Sequence, residues 1–228
     1  RCAHGGAPLA RYWLHNGFLS MAGGEKMSKS LGNVVTVAES LEKGHKGETL
    51  RLALLSAHYR QPLEWSSQLI AQSKATLDRW YGLLALRKEP VEQVTVSEDV
   101  VRSLSDDLNT PSAISHLAHI CNEGFAFNEA RFGLVEGDEQ KHIAQMTYYL
   151  TQMISTLQGS ASLIGLLQMT PEEWFRGGGD SRIDALIEAR AEAKRQKNYA
   201  EADRIRADLA AEGILLEDGP GGTTWRRA

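Results

Sequence analysis

Residues 106–111, which read Asp-Asp-Leu-Asn-Thr-Pro, contain the signals for the start of a helix in the middle of the chain. Thr110 has a side chain that suits a helix N-cap. Pro111 suits the first helical position, where the backbone N–H lacks a helical partner in any case. The residues after this start predict a helix that runs to about Asn128. The stretch therefore predicts helical structure in the middle of the chain.

Helical patterns continue on both sides of this start. Apolar residues recur at helical spacing in several segments, and Ser66 or Ser67 suits the N-cap of one of them. Residues 88–97 are polar and contain a proline, so they predict a linker, and Gly177–Gly179 predicts a flexible boundary. The predicted helices cover about 47–60, 66–84, 97–104, 111–128, 138–157, 181–196 and 199–211.

The two ends of the chain differ from this helical middle. Residues 1–45 are rich in glycine: Tyr12–His15 predicts a short helix or strand, Phe18-Leu19 a strand, and Val34–Val37 a strand or a buried crossing segment. The last residues alternate around a glycine-rich turn at 218–222, which predicts a small β-hairpin. The expected fold class is mainly α, with a short α/β segment in front and a hairpin at the end.

Length and composition are those of an ordinary globular chain, with 228 residues, 42% hydrophobic and 24% charged. No stretch approaches the roughly 18 apolar residues of a membrane helix. Residues 1–6 contain no apolar run, so no signal peptide is expected there. Two distant cysteines, Cys2 and Cys121, fit a reducing compartment, which predicts a cytoplasmic protein with Cys121 in its core. A net charge of −4 means that any contact with RNA must come from local patches.

A loop with two lysines carries the first sign of chemistry. Residues 25–33 read Glu-Lys-Met-Ser-Lys-Ser-Leu-Gly-Asn, with glycines on both sides. Mobile ammonium groups can stabilise the charge that grows on pyrophosphate as it leaves an α-phosphate, and Met27 would anchor the loop in an apolar pocket. The alternative is a solvated basic turn.

This loop resembles the second signature, KMSKS, of class I aminoacyl-tRNA synthetases, and all five positions match. The resemblance implies ATP as a substrate, catalytic roles for Lys26 and Lys29, and ATP binding by Lys26, Met27, Ser28, Lys29 and Ser30. Lys29 would act most directly on the phosphates, with Lys26 assisting. The HIGH-type signature of such enzymes does not occur in the sequence, so we expect a fragment with an incomplete nucleotide site.

Three further motifs narrow the resemblance. Residues 58–63 (His-Tyr-Arg-Gln-Pro-Leu), residues 106–111 and the terminus 217–226 resemble, in order, segments of bacterial cysteinyl-tRNA synthetases, over essentially the whole chain. That family implies ATP-dependent activation of cysteine and its transfer to tRNA-Cys. Two alternatives are a stand-alone tRNA-binding module and a related ligase that joins cysteine to an amino-sugar conjugate. The terminus argues against the second.

The resemblance also implies a division of the chain and a metal. Residues 1–45 would end a Rossmann-type catalytic domain, 46–96 would form a helical stem-contact region, 97–176 a helical anticodon-binding domain, and 177–228 a helical pair with the hairpin for anticodon recognition. His58-Tyr59-Arg60 would lie near the acceptor stem. The zinc of this family is expected in the full-length protein, with its ligands outside this segment. Cys2 and His4 are then loop residues, and no metal ligand is assigned.

The anticodon end has a locally basic segment between Arg190 and Arg206, offset by acidic residues. One interpretation is two surface helices with ordinary ion pairs along each helix. The other is recognition of unpaired bases, which need aromatic platforms and hydrogen-bonding edges. Trp225 is left open between a platform and a core residue. The candidate anticodon residues are Lys194, Arg195, Tyr199, Asp203, Asp218 and Trp225.

Overall fold

The computed structural model describes residues 5, 10–21, 23, 34–87, 94–133, 138–176, 181–219 and 222–227. The candidate ATP loop at 26–30, the pair Cys2 and His4, and the predicted boundary at 177–179 lie outside these residues. The chain forms two compact units, Arg1–Leu167 and Gln168–Ala228. The four-part division expected from the sequence stays a prediction.

The first unit is built mainly from helices, with one small sheet near its start. Strand β1 pairs in parallel with β2, with Leu19 opposite Leu63 and Met21 opposite Trp65. The elements in order are β1 (Leu19–Met21), α1 (Val37–Glu42), α2 (Gly47–Leu55), β2 (Leu63–Trp65), α3 (Ser67–Leu84), α4 (Glu98–Ser105), α5 (Thr110–Ala130) and α6 (Glu139–Ser162).

Side-chain caps explain where several of these helices begin. Ser66 accepts from the Leu69 N–H at 3.1 Å, which confirms it as the cap of α3. Asn109, rather than the predicted Thr110, caps α5 by accepting from the Ser112 N–H at 3.1 Å. The Thr110 hydroxyl instead donates to the carbonyl of Leu55 at 2.8 Å and ties the start of α5 to the end of α2.

The core of the first unit lies where α3 packs against α5 and α6. Leu83 can pack into this core because Gly124, which lies opposite it, has no side chain. A Cβ at position 124 would stand 2.7 Å from a Leu83 methyl group. Cys121 is buried as predicted, and burial raises the pKa of its thiol to about 11. The core residues that are almost fully buried include Leu77, Trp80, Tyr81, Leu83, Leu117, Ile154 and Leu157.

A buried carboxylate lies inside this helical unit. Glu48, in the first turn of α2, accepts from the Tyr81 hydroxyl at 2.8 Å and from the backbone N–H of Leu167. Buried polar groups persist where hydrogen bonds satisfy them. Glu48 therefore joins α2, α3 and the chain that follows α6.

Residues 94–97 cross α6 as an irregular strap, in agreement with the predicted linker. The Thr95 N–H donates to Ser155 Oγ at 3.2 Å, and the Ser97 N–H donates to Ser160 Oγ at 2.9 Å. Gly159 permits this crossing, because a Cβ there would stand 2.1 Å from the Thr95 carbonyl oxygen. The linker is thus fixed to the helix rather than free along these residues.

The second unit combines helices with a hairpin. Strands β3 and β4 pair antiparallel, from Ile214 opposite Arg227 to Gly219 opposite Gly222. The elements are α7 (Pro171–Arg176), α8 (Ser181–Arg195), α9 (Tyr199–Ala211), β3 (Ile214–Gly219) and β4 (Gly222–Arg227). Their shared core consists of Ile183, Ile205, Leu209, Ile214 and Trp225.

The predicted fold class, mainly α with a terminal hairpin, is confirmed. The strand or buried segment expected at Val34–Val37 is wrong: Thr36 and Glu39 form a capping box that starts α1, and Val37 is 67% exposed. Tyr12–His15 forms neither helix nor strand. The sequence did not predict β2 or α7. Among the described residues, no helix is long and apolar enough to span a membrane.

Candidate nucleic-acid interface

A buried arginine joins the helices of the second unit to the hairpin. Arg190 lies on α8 with its side chain only 4% exposed. Its Nη1 donates to Asp218 Oδ1 and its Nη2 to Asp218 Oδ2, both at 3.0 Å. Two parallel charge-assisted bonds fix both the distance and the orientation of a carboxylate. The remaining Nε of Arg190 is buried without a partner among the described residues.

Asp218 accepts from two more donors. Thr223, its partner in the hairpin register, donates its hydroxyl to Oδ1 at 2.6 Å, and the Lys194 ammonium donates to Oδ2 at 3.2 Å. The bonds from Arg190, then those from Thr223 and Lys194, hold the pKa of Asp218 far below its usual range. The carboxylate is therefore ionised at neutral pH, although its side chain is 48% exposed.

Asp203 belongs to the same charged surface at a longer range. The hydrogen bonds to Asp218, and then the charges of Asp218 and Asp203, raise the pKa of Arg190 against the effect of its burial. The charge of Asp203 thus acts on Arg190 weakly compared with that of Asp218. The guanidinium donates to Asp218 and, from Nη1 at 3.3 Å, to the Thr223 hydroxyl oxygen. Asp203 is exposed and is not part of the bidentate contact.

The turn between α8 and α9 presents an aromatic ring. Asn198 caps α9 by accepting from the Glu201 N–H at 3.3 Å, and Lys197 before it has a positive φ of 58°. Tyr199 follows as the first residue of α9 and is 62% exposed. Arg195, on the other side of the turn, donates from Nε to Glu192 at 2.8 Å, an ordinary ion pair within α8.

Trp225 occupies the core of the second unit. It is 4% exposed and packs in one cluster with Ile183, Ile205 and Leu209. Its indole N–H donates to Asp184 Oδ1 at 3.0 Å. Of the two interpretations that the sequence left open, the structure gives the core residue. Trp225 therefore packs the hairpin onto the core of the unit and does not present an open ring face to a base.

In the first unit, two of the sequence motifs meet at a second ionic contact. The Tyr59 hydroxyl and the Arg60 Nε each donate to the Asp107 carboxylate at 2.7 Å, and the ring of His58 stacks on that of Tyr59. Asp107 has a positive φ of 50°, and its bonds to Arg60 and Tyr59 lower its pKa to about 2. The segments 58–63 and 106–111 are therefore one structural feature.

Two family models match the chain. The model described as the tRNA synthetases class I (C) catalytic domain matches residues 1–75, and that of the cysteinyl-tRNA ligase anticodon binding domain matches residues 176–226. A protein of Xanthomonas axonopodis pv. citri named cysteine–tRNA ligase is 50% identical over 239 aligned positions. Proteins of the same name from Xylella fastidiosa and Hyphomonas neptunium are 47% and 46% identical. These alignments cover 99–100% of this chain and 46–48% of the relatives.

The chain belongs to the cysteine–tRNA ligase family. It spans about half the length of the curated relatives that it matches. The anticodon-binding match covers α8, α9 and nearly all of the hairpin, and thus the whole cluster around Asp218. The catalytic-domain match covers β1, α1, α2 and β2, together with the lysine loop at 26–30.

The candidate anticodon residues of this family member fall into three groups. Lys194 and Asp218 are in direct contact, and Asp203 lies close enough to act on Arg190. Tyr199 and Arg195 flank the neighbouring turn, while Trp225 is in the core. Arg190, Thr223 and Asp184 were not predicted. The sequence contained a signal for two of them. Arg190 lies one helical turn before Lys194 and so on the same face of the helix, and Thr223 lies opposite Asp218 across the predicted turn.

The zinc that the resemblance implies was expected to have its ligands outside this segment. Within the described ranges, no group of three or more histidine, cysteine, aspartate or glutamate side chains is placed to hold an ion. Cys2 and His4 lie outside those ranges. Zinc therefore stays an expectation for the full-length protein, and no chemical step is assigned to it.

Proposed function

We propose that this chain is the tRNA-recognition half of a cysteine–tRNA ligase, an enzyme that activates cysteine with ATP and transfers it to tRNA-Cys in the cytoplasm. The observation that carries the proposal is the cluster of the second unit, where an ionised Asp218 and Lys194 lie on the part of the chain that matches the anticodon-binding model. Family membership over the whole chain supports the rest.

The second unit offers the groups that unpaired bases require. Single-stranded RNA is bound by stacking bases on exposed rings and by pairing their edges with side chains. Tyr199 presents an exposed ring beside the turn. Asp218 and Asp203 would accept from amino or imino groups of bases, while Lys194 and Arg195 would bind phosphates or a guanine edge.

The lysine loop would act in the whole enzyme rather than in this chain alone. Lys29 is proposed to bind the ATP phosphates, with Lys26 assisting and with Met27, Ser28 and Ser30 shaping the loop. Two ammonium groups that arrive with loop closure would stabilise the charge on departing pyrophosphate. We expect this chain alone to bind tRNA weakly and not to aminoacylate it.

The proposal is tested by measuring how the purified chain binds labelled tRNA-Cys and its anticodon stem–loop, by fluorescence anisotropy. Tyr199→Ala is expected to weaken binding about 5- to 150-fold, since stacking one base contributes about 1–3 kcal/mol. Tyr148→Ala is the matched control, because Tyr148 is 61% exposed and Tyr199 62% exposed, but Tyr148 lies on α6 of the first unit. Equal affinity of the two variants, or no binding by the unmodified chain, would contradict the proposal.

A further inference from the structure

The carboxylate of Asp218 is fully occupied by donors from its own chain. A carboxylate offers two oxygens with about four acceptor sites. Oδ1 accepts from Arg190 Nη1 and the Thr223 hydroxyl, and Oδ2 accepts from Arg190 Nη2 and the Lys194 ammonium. A base amino group can therefore bind Asp218 only by replacing one of these donors.

Two of the three donor residues are held firmly. Arg190 is 96% buried and makes two bonds of 3.0 Å, so its departure would leave a buried charge without a partner. Thr223 makes a bond of 2.6 Å and stands opposite Asp218 in the hairpin ladder. Both residues are therefore fixed by the fold, through burial in one case and strand register in the other.

Lys194 is held loosely by comparison. Its side chain is 43% exposed, and it makes one bond to Asp218, at 3.2 Å. An ion pair between exposed groups contributes little, because water solvates both partners well. The ammonium lies on a flexible four-carbon stem, so it can leave Asp218 and be solvated or meet a phosphate nearby. Of the donors, Lys194 is the one that a ligand can replace.

We propose that Lys194 occupies a donor subsite on Asp218 Oδ2 that the amino group of an unpaired base takes over, and that Arg190 and Thr223 are positioning residues for this carboxylate. The inference rests on the proposed function and deepens it. It assigns the selectivity of the site to Asp218, and Lys194 competes with the base for Asp218 Oδ2. In the free protein, the lysine stands where the donor of the base would stand.

Internal competition of this kind selects by chemistry. A base amino group can donate to Oδ2 in place of Lys194. A carbonyl or C–H edge cannot donate, so either Lys194 stays bound or the carboxylate loses its fourth donor. Selectivity of this form is a difference between two bound states rather than a gain in total affinity. Because Arg190 and Thr223 keep both oxygens in place, the carboxylate needs no rearrangement when the exchange occurs.

The test uses anticodon stem–loop RNAs in pairs that differ by one amino group: guanine against inosine, adenine against purine, and cytosine against 2-pyrimidinone. Each pair is placed at each of the three anticodon positions. The quantity measured is the ratio of the two Kd values for the most sensitive pair. A bond to an ionised acceptor predicts a ratio of about 10 or more for the unmodified chain.

Four variants separate the roles of the side chains. Arg190→Lys and Thr223→Val are expected to lower the ratio to about 3 or less, because the carboxylate loses a donor that orients it. Thr223→Ser keeps the hydroxyl and is expected to restore the ratio. Lys194→Met removes the competitor, so a ratio at least as large as that of the unmodified chain is expected, even though overall RNA affinity falls. If Arg190→Lys does not fold, the Thr223 pair carries the test.

The outcomes distinguish this inference from the function on which it rests. An unmodified chain that binds no stem–loop contradicts the proposed function itself. A chain that binds stem–loops without any amino preference overturns the inference alone. So does a Lys194→Met variant whose ratio falls toward one, because the amino preference would then depend on Lys194 instead of being limited by it. Equal ratios for Thr223→Val and Thr223→Ser would likewise remove the positioning role.

Discussion

Trp225 and Asp184 join the hairpin to the first turn of α8 through one hydrogen bond, from the indole N–H to Oδ1 at 3.0 Å. The carboxylate also lies where a helix favours negative charge, because the N-terminal backbone N–H groups lack helical partners there. Trp225 is 4% exposed in the same core cluster as Ile183 and Leu209. The position of the strand that carries Thr223 therefore depends on this contact.

Trp225→Phe is expected to lower the free energy of unfolding of the second unit by about 2–3 kcal/mol, because it loses core volume and the bond to Asp184. Hydrogen exchange followed by mass spectrometry, on peptides from residues 199–227, measures this unit separately from the first. Asp184→Asn keeps an oxygen acceptor and is expected to cost less. Equal exchange in Trp225→Phe and the unmodified chain would contradict the core role.

The fold was predictable where local signals decide it. Serine before α3, the glycine after α9 and the alternation around residues 218–222 each depend on neighbours in sequence, and the structure confirms those elements. The strand or buried segment predicted at Val34–Val37 was wrong because β-branched residues favour strands, whereas the capping box of Thr36 and Glu39 starts a helix there. β2 was missed because its partner β1 lies about forty residues earlier.

The candidate site was predictable only as a set of residue types. The sequence predicted Lys194 and Asp218 as RNA contacts, but that the two residues bind each other depends on where the hairpin packs against α8. Arg190 belonged to a basic run that resembled a solvated surface, and only the folded unit buries it against Asp218. Arg195 and Arg204 make ion pairs within their helices, with Glu192 and Glu201.

Lys29→Ala, made in a full-length ligase that carries this segment, is expected to slow cysteine-dependent pyrophosphate exchange by on the order of 100-fold or more. That is the usual effect of removing one group that stabilises developing negative charge. Binding of tRNA, measured by filter binding, should stay nearly intact. Lys43→Ala, an exposed lysine just after α1, serves as the control. Unchanged exchange in Lys29→Ala would remove the proposed role.

Asp107→Asn is expected to make thermal stability less dependent on pH in the acidic range. The pKa of Asp107 falls from 3.8 to about 2 on folding, mainly through its bonds to Arg60 and Tyr59. A carboxyl group whose pKa is lowered stabilises the fold above its unfolded pKa and loses that effect as pH falls through the folded value. The melting temperature of the unmodified chain should therefore exceed that of the variant at pH 6, and the gap should close between pH 4 and pH 2.

Asparagine suits this test because it tolerates the positive φ of 50° at position 107 better than most residues. The matched control is Asp106→Asn, which removes a neighbouring exposed charge and leaves the contacts of Tyr59 and Arg60 in place. A gap between Asp107→Asn and the unmodified chain that stays constant from pH 6 to pH 2 would show that Asp107 does not act through its charge.

Gly159→Ala and Gly82→Ala are expected to change stability in opposite directions, although both glycines lie in helices of the first unit. A Cβ at 159 would stand 2.1 Å from the Thr95 carbonyl oxygen and 2.6 Å from Val94, so the strap would have to leave α6. Overpacking of this kind costs about 1–3 kcal/mol. A Cβ at 82 meets nothing within 4 Å, and alanine there should gain about 0.5–1 kcal/mol from its helix preference. Urea denaturation followed by circular dichroism measures both. A Gly159→Ala variant as stable as the unmodified chain, or more stable, would mean that the strap is not tightly seated on α6.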